Sequence, residues 1–207
     1  MAPSTAGFEV DSTRLTDSAE NGSTWDVTVP QVSGGVRTTR RTFNDALAAA
    51  ADRVTSAARD DDATVTITDG ELAPDERSRT VVARSTLSGV LITLSSTAGA
   101  AYPSHGVETV VLDPGGDRVL ALDDLFVDPA AARHRLAALA TAADPSGRLA
   151  QVPAVAEDLN AWIALDAGLH LYVPVVHALG DHVPVTIPWP ELAALLNPAG
   201  RVLFSSL

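Results

Sequence analysis

The chain has no cysteine, which excludes disulfide staples, thiolate nucleophiles and cysteine-based zinc sites together. It has no lysine either, since all 14 cationic residues are Arg; serine nucleophiles of the S-x-x-K type are therefore impossible. With the Ala, Val and Asp bias, this arginine-only usage points to a GC-rich, actinobacterial-type genome, which is a matter of codons and not of mechanism. Only nine of the 207 residues are aromatic, so the core must be built from aliphatic side chains. No run approaches the ~20 consecutive apolar residues of a membrane helix. A basic-then-apolar start is also missing, so no signal peptide is visible. A basic surface is lacking as well. The formal charge of −12 argues against nucleic acid, whose phosphates demand a basic face, and favours encounter with a basic partner.

What is present is globular. The composition is 46% apolar and 19% charged, too apolar and too weakly charged for a disordered chain. At this length roughly 70% of the unfolded surface can be buried. Met1 to Gly7 are small and polar, like a mature terminus behind a removed signal or anchor, or like an ordinary flexible end.

Trp25, Val27 and Val29 alternate with polar residues, which predicts a half-buried strand ended by Pro30. Thr42 is placed to cap a helix over 42–58 whose apolar face carries Phe43, Leu47, Ala50 and Val54. Strands are expected at 64–68, 80–86, 90–97, 107–112 and 119–122, largely as an antiparallel meander. Asp128-Pro129 reads as an N-cap followed by proline at the first helical position, opening a helix to about Ala143. Residues 144–155 read as a loop with a short helical turn. Strands follow at 162–165, 169–173 and 183–187. Pro190 then starts a short helix, and Gly200 releases the chain into a terminal strand over 201–204.

Chemistry is sparse. His105, His134, His170, His177 and His182 are scattered, and only His177 and His182 are near neighbours. A metal reading would use those two with Asp181, but no H-E-x-x-H spacing exists, and solvated or core histidines are the simpler reading. No G-x-S-x-G elbow is present. Ser104 and His105 are adjacent and point to opposite faces of an extended chain, leaving only a hydrolase assembled from distant residues. Asp123-Asp124 and Glu157-Asp158 could serve as paired acids, though acids are numerous and turns or solvated ends explain them. No phosphate-binding glycine loop occurs.

One resemblance links these pieces. His105-Gly106, the turn Asp113-Pro114-Gly115-Gly116-Asp117 and Leu122-Asp123-Asp124-Leu125-Phe126 resemble a pattern of the RsiV-like bacterial domain of unknown function. Gly168-Leu169, Leu171-Tyr172, His177-Ala178, Gly180, then Val185, Ile187, Pro188, Trp189 and Leu192 resemble the segment closing that domain. The strand at Trp25 and the pair Phe43-Asn44 resemble the domain that usually precedes it. His177 and Trp189 replace the tyrosine or phenylalanine common there, and Tyr102-Pro103-Ser104 replaces a glycine. Such domains occur as ectodomains of anti-sigma factors that bind lysozyme, beside peptidoglycan deacetylases, and as secreted mycobacterial immunogenic proteins. The resemblance implies an extracytoplasmic location, secreted or lipid-anchored, and a binding role; it supplies no catalytic set.

The expectations are an α+β fold with antiparallel or mixed sheets, two longer helices and a short C-terminal helix. Residues 1–21 should be a flexible terminus, 22–100 an N-terminal α+β half, and 101–207 the RsiV-like half, the two halves forming one unit. The function expected is non-enzymatic binding of a protein or cell-wall ligand, such as a basic protein of the lysozyme kind, by a monomer without cofactor or metal. A weak hydrolase is the alternative. Tyr102, His105, Tyr172, His177, His182 and Trp189 are the candidate binding residues.

Overall fold

The computed structural model describes residues 5–152 and 158–204; Glu157 of the candidate acid pair lies outside them. The order is β1 (Phe8–Ser18), β2 (Thr24–Gly34), α1 (Arg37–Asp60), β3 (Val65–Asp69), β4 (Glu71–Ala73), β5 (Glu76–Arg77), β6 (Arg79–Val82), β7 (Leu87–Thr97), β8 (Ser104–Asp113) and β9 (Arg118–Val119). There follow α2 (Pro129–Ala143), β10 (Trp162–Leu165), β11 (Gly168–Pro174), β12 (His182–Pro188), α3 (Trp189–Leu192) and α4 (Pro198–Phe204). This is the expected α+β class. A seven-stranded sheet runs β1-β2-β3-β7-β8-β9, with β6 also on β7, and a three-stranded sheet runs β10-β11-β12. All large-sheet pairs are antiparallel except β2 with β3.

Alternation along β7 stacks the layers, because successive strand side chains point to opposite faces. Leu87 and Leu91 turn toward α1, packing with Trp25, Phe43 and Leu47. Val90 and Ile92 face the small sheet, where they meet Ile163 and Tyr172. The small sheet alternates in the same way. Leu169, Leu171, Val185 and Ile187 pack with Leu136 and Leu139 of α2 on its far side. The result is helix, large sheet, small sheet, helices. Ser88 stitches the two sheets where they cross, its Oγ accepting from Ala164 N at 3.1 Å.

Several elements differ from the sequence expectation for identifiable reasons. Phe8–Ser18, expected inside a flexible terminus, pairs along its whole length with β2. Polar β1 is an edge strand with little apolar surface to announce it. Two of its backbone N–H groups, those of Ser12 and Ser18, go to the carboxylates of Asp11 and Asp17, which blunts the edge against further pairing.

Strand β2 also runs through Pro30. Thr28, Pro30 and Val32 direct their nitrogens to the same side, away from β1. Thr28 N–H donates to Asp69 Oδ1 and Val32 N–H to Asn44 Oδ1, while Pro30 has no donor to satisfy. Pairing with β3 has ended by Asp26, so proline costs the strand no ladder bond.

Helix α1 begins at Arg37 and not at Thr42, without a side-chain cap, directly after the left-handed pair Gly34-Gly35. Its far end is closed by Asn21, whose Nδ2 donates to the carbonyls of Ala58 and Asp61. Helix α2 starts as expected, with Asp128 accepting from Ala131 N at 3.0 Å.

The terminal strand over 201–204 is not formed; α4 occupies it. Asn197 Oδ1 accepts from Gly200 N at 2.8 Å with Pro198 following, an N-cap and first-position proline that outweighs the strand propensity of Val202 and Phe204. The short helix expected from Pro190 is α3, beginning one residue earlier.

Candidate functional site

The turn between β11 and β12 carries a polar cluster built around Asp181. After a 3₁₀ turn at His177–Leu179, Gly180 and Asp181 both take left-handed φ, +98° and +64°. Aspartate tolerates that region better than most residues. This geometry turns the Asp181 side chain back toward β8 of the large sheet. Its Oδ2 accepts the backbone N–H of His105 at 2.8 Å and lies 3.4 Å from His105 Nδ1. Its Oδ1 accepts from His177 Nδ1 at 2.8 Å.

Burial works against the charge of this carboxylate. The His105 N–H and the two imidazoles outweigh burial and hold its pKa below the ordinary value. His177 is half exposed, and its ring lies 6.1 Å from that of Tyr102, which projects into solvent. His182 follows directly. Burial, the largest influence, lowers its pKa, and His105 adds to this, while Asp181 and Asp158 oppose it. Its Nδ1 is enclosed and has no partner. Two of the sequence candidates, His105 and His177, thus meet on Asp181, with His182 next to it in the chain and Tyr102 beside His177.

Below this cluster a cleft of about 290 Å³ opens along the seam between the sheets. Val107, Glu108 and Thr109 of β8, Asp158, Asn160 and Ala161 of the segment before β10, and Tyr172, Pro174 and His182 of the small sheet line it, with the Glu108 carboxylate paired to Arg53. Thr109 Oγ1 also accepts from Trp162 N at 3.1 Å, so the seam is pinned at one wall of the cleft.

The other two candidates belong to the interior, Tyr172 backing the cleft from within the core. Tyr172 is fully buried and donates its hydroxyl to Glu76 Oε1 at 2.7 Å. Glu76 enters on the β4–β5 hairpin, where Arg79 also pairs with it and His170 Nε2 lies 3.6 Å away. Burial alone would raise the Glu76 pKa, but His170, Arg79 and Tyr172 bring it down to about 2. His170 continues the chain to Thr186 Oγ1 at 2.8 Å. The acid, imidazole and hydroxyl order resembles a catalytic relay, but His170 is only 6% exposed and the Glu76 contact exceeds hydrogen-bond length; it is a polar core network.

Trp189 is buried, stacks on Phe204 at 3.9 Å between centroids and donates Nε1–H to Leu165 O. With Pro190, Leu196 and Arg201 this pair lines an apolar groove of about 520 Å³.

Asp181 and Asp158, which the sequence offers only as a metal ligand and as one of two paired acids, belong to the site, and Glu76, which it does not single out, belongs to the core network. Asp181 had a signal, since His177 and His182 flank it. Glu76 had none, being 96 positions from Tyr172. Of the candidate acids, Asp123 pairs with Arg133 and Asp124 with Arg118. Among the described residues, no group of three or more histidines and acids is placed to hold a metal ion. No helix among them is long and apolar enough to cross a membrane.

No family model matches the chain, and no curated protein sequence does. Solved structures do. A DUF3298 family member from Bacteroides fragilis superimposes with TM-score 0.66 at 13% identity, covering 99% of this chain and 100% of that one. A DUF3298 family protein from Pseudomonas aeruginosa gives TM-score 0.57 at 14% identity, with 95% of each chain covered. At such identities the likeness is one of fold: over nearly its whole length, this chain is similar in architecture to DUF3298 proteins.

Proposed function

We propose that the chain is an RsiV-like domain of the DUF3298 kind, acting outside the cytoplasm as a monomer that binds a protein or cell-wall ligand without transforming it. The observation that carries this reading is the seam cleft. It gathers two carboxylates, an amide, a hydroxyl and an imidazole from β8, the 158–161 segment and β12, convergent polar groups held on a frame of paired strands. The fold likeness to two DUF3298 structures supports the family assignment. The net charge of −12 suits a cationic partner such as a lysozyme-like protein, through long-range attraction.

The test is direct binding. The purified chain is mixed with insoluble peptidoglycan in a sedimentation assay, and with lysozyme in a calorimeter, at low and high salt. Retention on one of them is expected, weakening with salt in the lysozyme case. A chain that stays in the supernatant and gives no heat with lysozyme at low salt overturns the reading.

A second reading has one observation in its favour. Asp181 fixes the His177 ring so that Nε2 is left as an acceptor at the surface, the posture of a general base. Among the described residues no serine or threonine hydroxyl bonds to His177 or His105, so the nucleophile would be water. Ester hydrolysis lost in His177→Gln would establish this hydrolase reading.

A further inference from the structure

His182 occupies an unusual position for an imidazole. One nitrogen, Nδ1, is sealed in protein with no hydrogen-bond partner, while the residue itself lines the seam cleft. A proton on Nδ1 would be a buried donor with nothing to receive it, the costlier of the two ways to leave an atom unpaired. The lone pair therefore sits inward and the ring carries its proton on Nε2. Burial disfavours a second proton. The cleft is thus presented with a neutral N–H donor at a fixed place.

The opposite requirement comes from the 158–161 wall. Asp158 is an exposed carboxylate, able only to accept, and already takes one bond from Asn160 Nδ2 at 3.1 Å. Carboxylate oxygens accept several bonds, so capacity remains for a ligand. Val107, Ala161 and Pro174 add small apolar surfaces to the same lining, beside Glu108, whose carboxylate is paired with Arg53. A cleft of about 290 Å³ is at the floor of the ~300–1,000 Å³ range of ligand pockets. It admits one ring with its substituent and is too small for an extended chain.

We infer that this cleft reads an uncharged secondary amide carried on a sugar ring, an acetamido sugar, with His182 Nε2–H donating to the amide carbonyl and Asp158 accepting the amide N–H. The methyl group packs against Val107, Ala161 and Pro174. An anionic ligand is disfavoured by Asp158 and Glu108, which both line the cleft. This assignment rests on the binding reading above and narrows it to a ligand class.

The experiment is an NMR titration of the ¹⁵N-labelled full chain. Long-range ¹H–¹⁵N spectra at neutral pH should show His182 as the Nε2–H tautomer; an Nδ1–H tautomer overturns the assignment. N,N′-diacetylchitobiose should shift His182, Thr109 and Asn160 saturably, and cellobiose, with a hydroxyl in place of each acetamido group, should not. His182→Phe should weaken the disaccharide at least about tenfold, the usual worth of one lost hydrogen bond to a buried polar partner. His182→Gln, which keeps an N–H donor near the same place, should retain most of the affinity and guards against a misfolded Phe variant. Equal response to cellobiose, or response only to a blocked alanine dipeptide, overturns the acetamido assignment. If neither probe binds while the chain still binds peptidoglycan or lysozyme, this inference falls and the binding reading stands.

Discussion

The Asp181 carboxylate and the His105 backbone join the two sheets: Asp181 Oδ2 accepts the His105 N–H at 2.8 Å, so the β11–β12 turn is held to the start of β8. The same carboxylate fixes the His177 ring. Its left-handed backbone is tolerated because these bonds need the side chain at this place and no other.

Asp181→Asn keeps a residue that accepts the left-handed region but removes the charge. The charge-assisted bonds weaken, and the chain should lose about 1.5–3 kcal/mol at neutral pH. The folded-state pKa of Asp181 lies below the ordinary 3.8. Its contribution is therefore present above that value and fades as pH falls through the lowered one. Urea titrations should show a gap between wild type and variant that is open at pH 7 and closes below about pH 4; variants of equal stability at pH 7 would show that the turn is held by something else.

His182 titrates in the opposite chemical sense with the same direction of effect. Its folded pKa is below the ordinary 6.5, so the unfolded chain takes up the proton first, and stability is lost as pH falls below that value. Burial dominates, with Asp181 and Asp158 facing the ring as acids and His105 as the opposing base. His182→Gln removes this titration. Between pH 6.5 and 5 its denaturation midpoint should move less than the wild-type midpoint.

Glu76→Gln leaves Arg79 half-buried without its counter-charge and Tyr172 with a weaker acceptor. Removing one partner of a buried pair costs about 3–5 kcal/mol; with 29% of the Arg79 side chain exposed, about 2–4 kcal/mol is expected. Replacing the whole group, as Glu76→Leu with Arg79→Met and Tyr172→Phe, leaves no buried donor unpaired by the change and should recover most of that loss in thermal unfolding. Since Glu76 titrates at about 2, its contribution persists through mild acid and is lost only as pH falls toward that value.

Gly168→Ala should be strongly damaging for so small a change. A Cβ at Gly168 would lie 2.2 Å from the carbonyl oxygen of Ile187, an unyielding backbone atom in the facing strand. The β11–β12 pair would have to part, at about 3 kcal/mol, the upper end of ordinary single-site effects. A melting temperature within a degree or so of wild type would contradict the close approach.

The local elements were largely legible. Alternation marked β10, β11 and β12 to within a residue or so, and Asp128-Pro129 marked the start of α2, because strand period and capping chemistry are set by neighbouring residues. Where local signals competed, reading them failed: Asn197-Pro198 capped a helix that Val202 and Phe204 had suggested was a strand. Polar β1 was invisible for a related reason, since a strand stabilised by pairing with β2 carries no apolar stripe of its own.

The site was legible as residue types and not as a place. His105, His177 and His182 could be singled out, but 76 positions separate His105 from Asp181, and no spacing rule spans that distance. Tyr172 and Trp189, chosen as aromatic candidates, went respectively into a buried polar network and a stack on α4, since large rings are most stabilising when enclosed with their polar tips paired.

Composition and local periodicity together determined that this is an acidic, cysteine-free globular chain of the α+β class, because core content and charge depend on which residues are present and the elements on their order. Only the tertiary structure decided that a left-handed Asp181 joins His105 to His177, that Glu76 is enclosed, and that the seam holds a cleft. Those features come from two sheets packing face to face, and each depends on residues far apart in the chain whose meeting only long-range packing can fix.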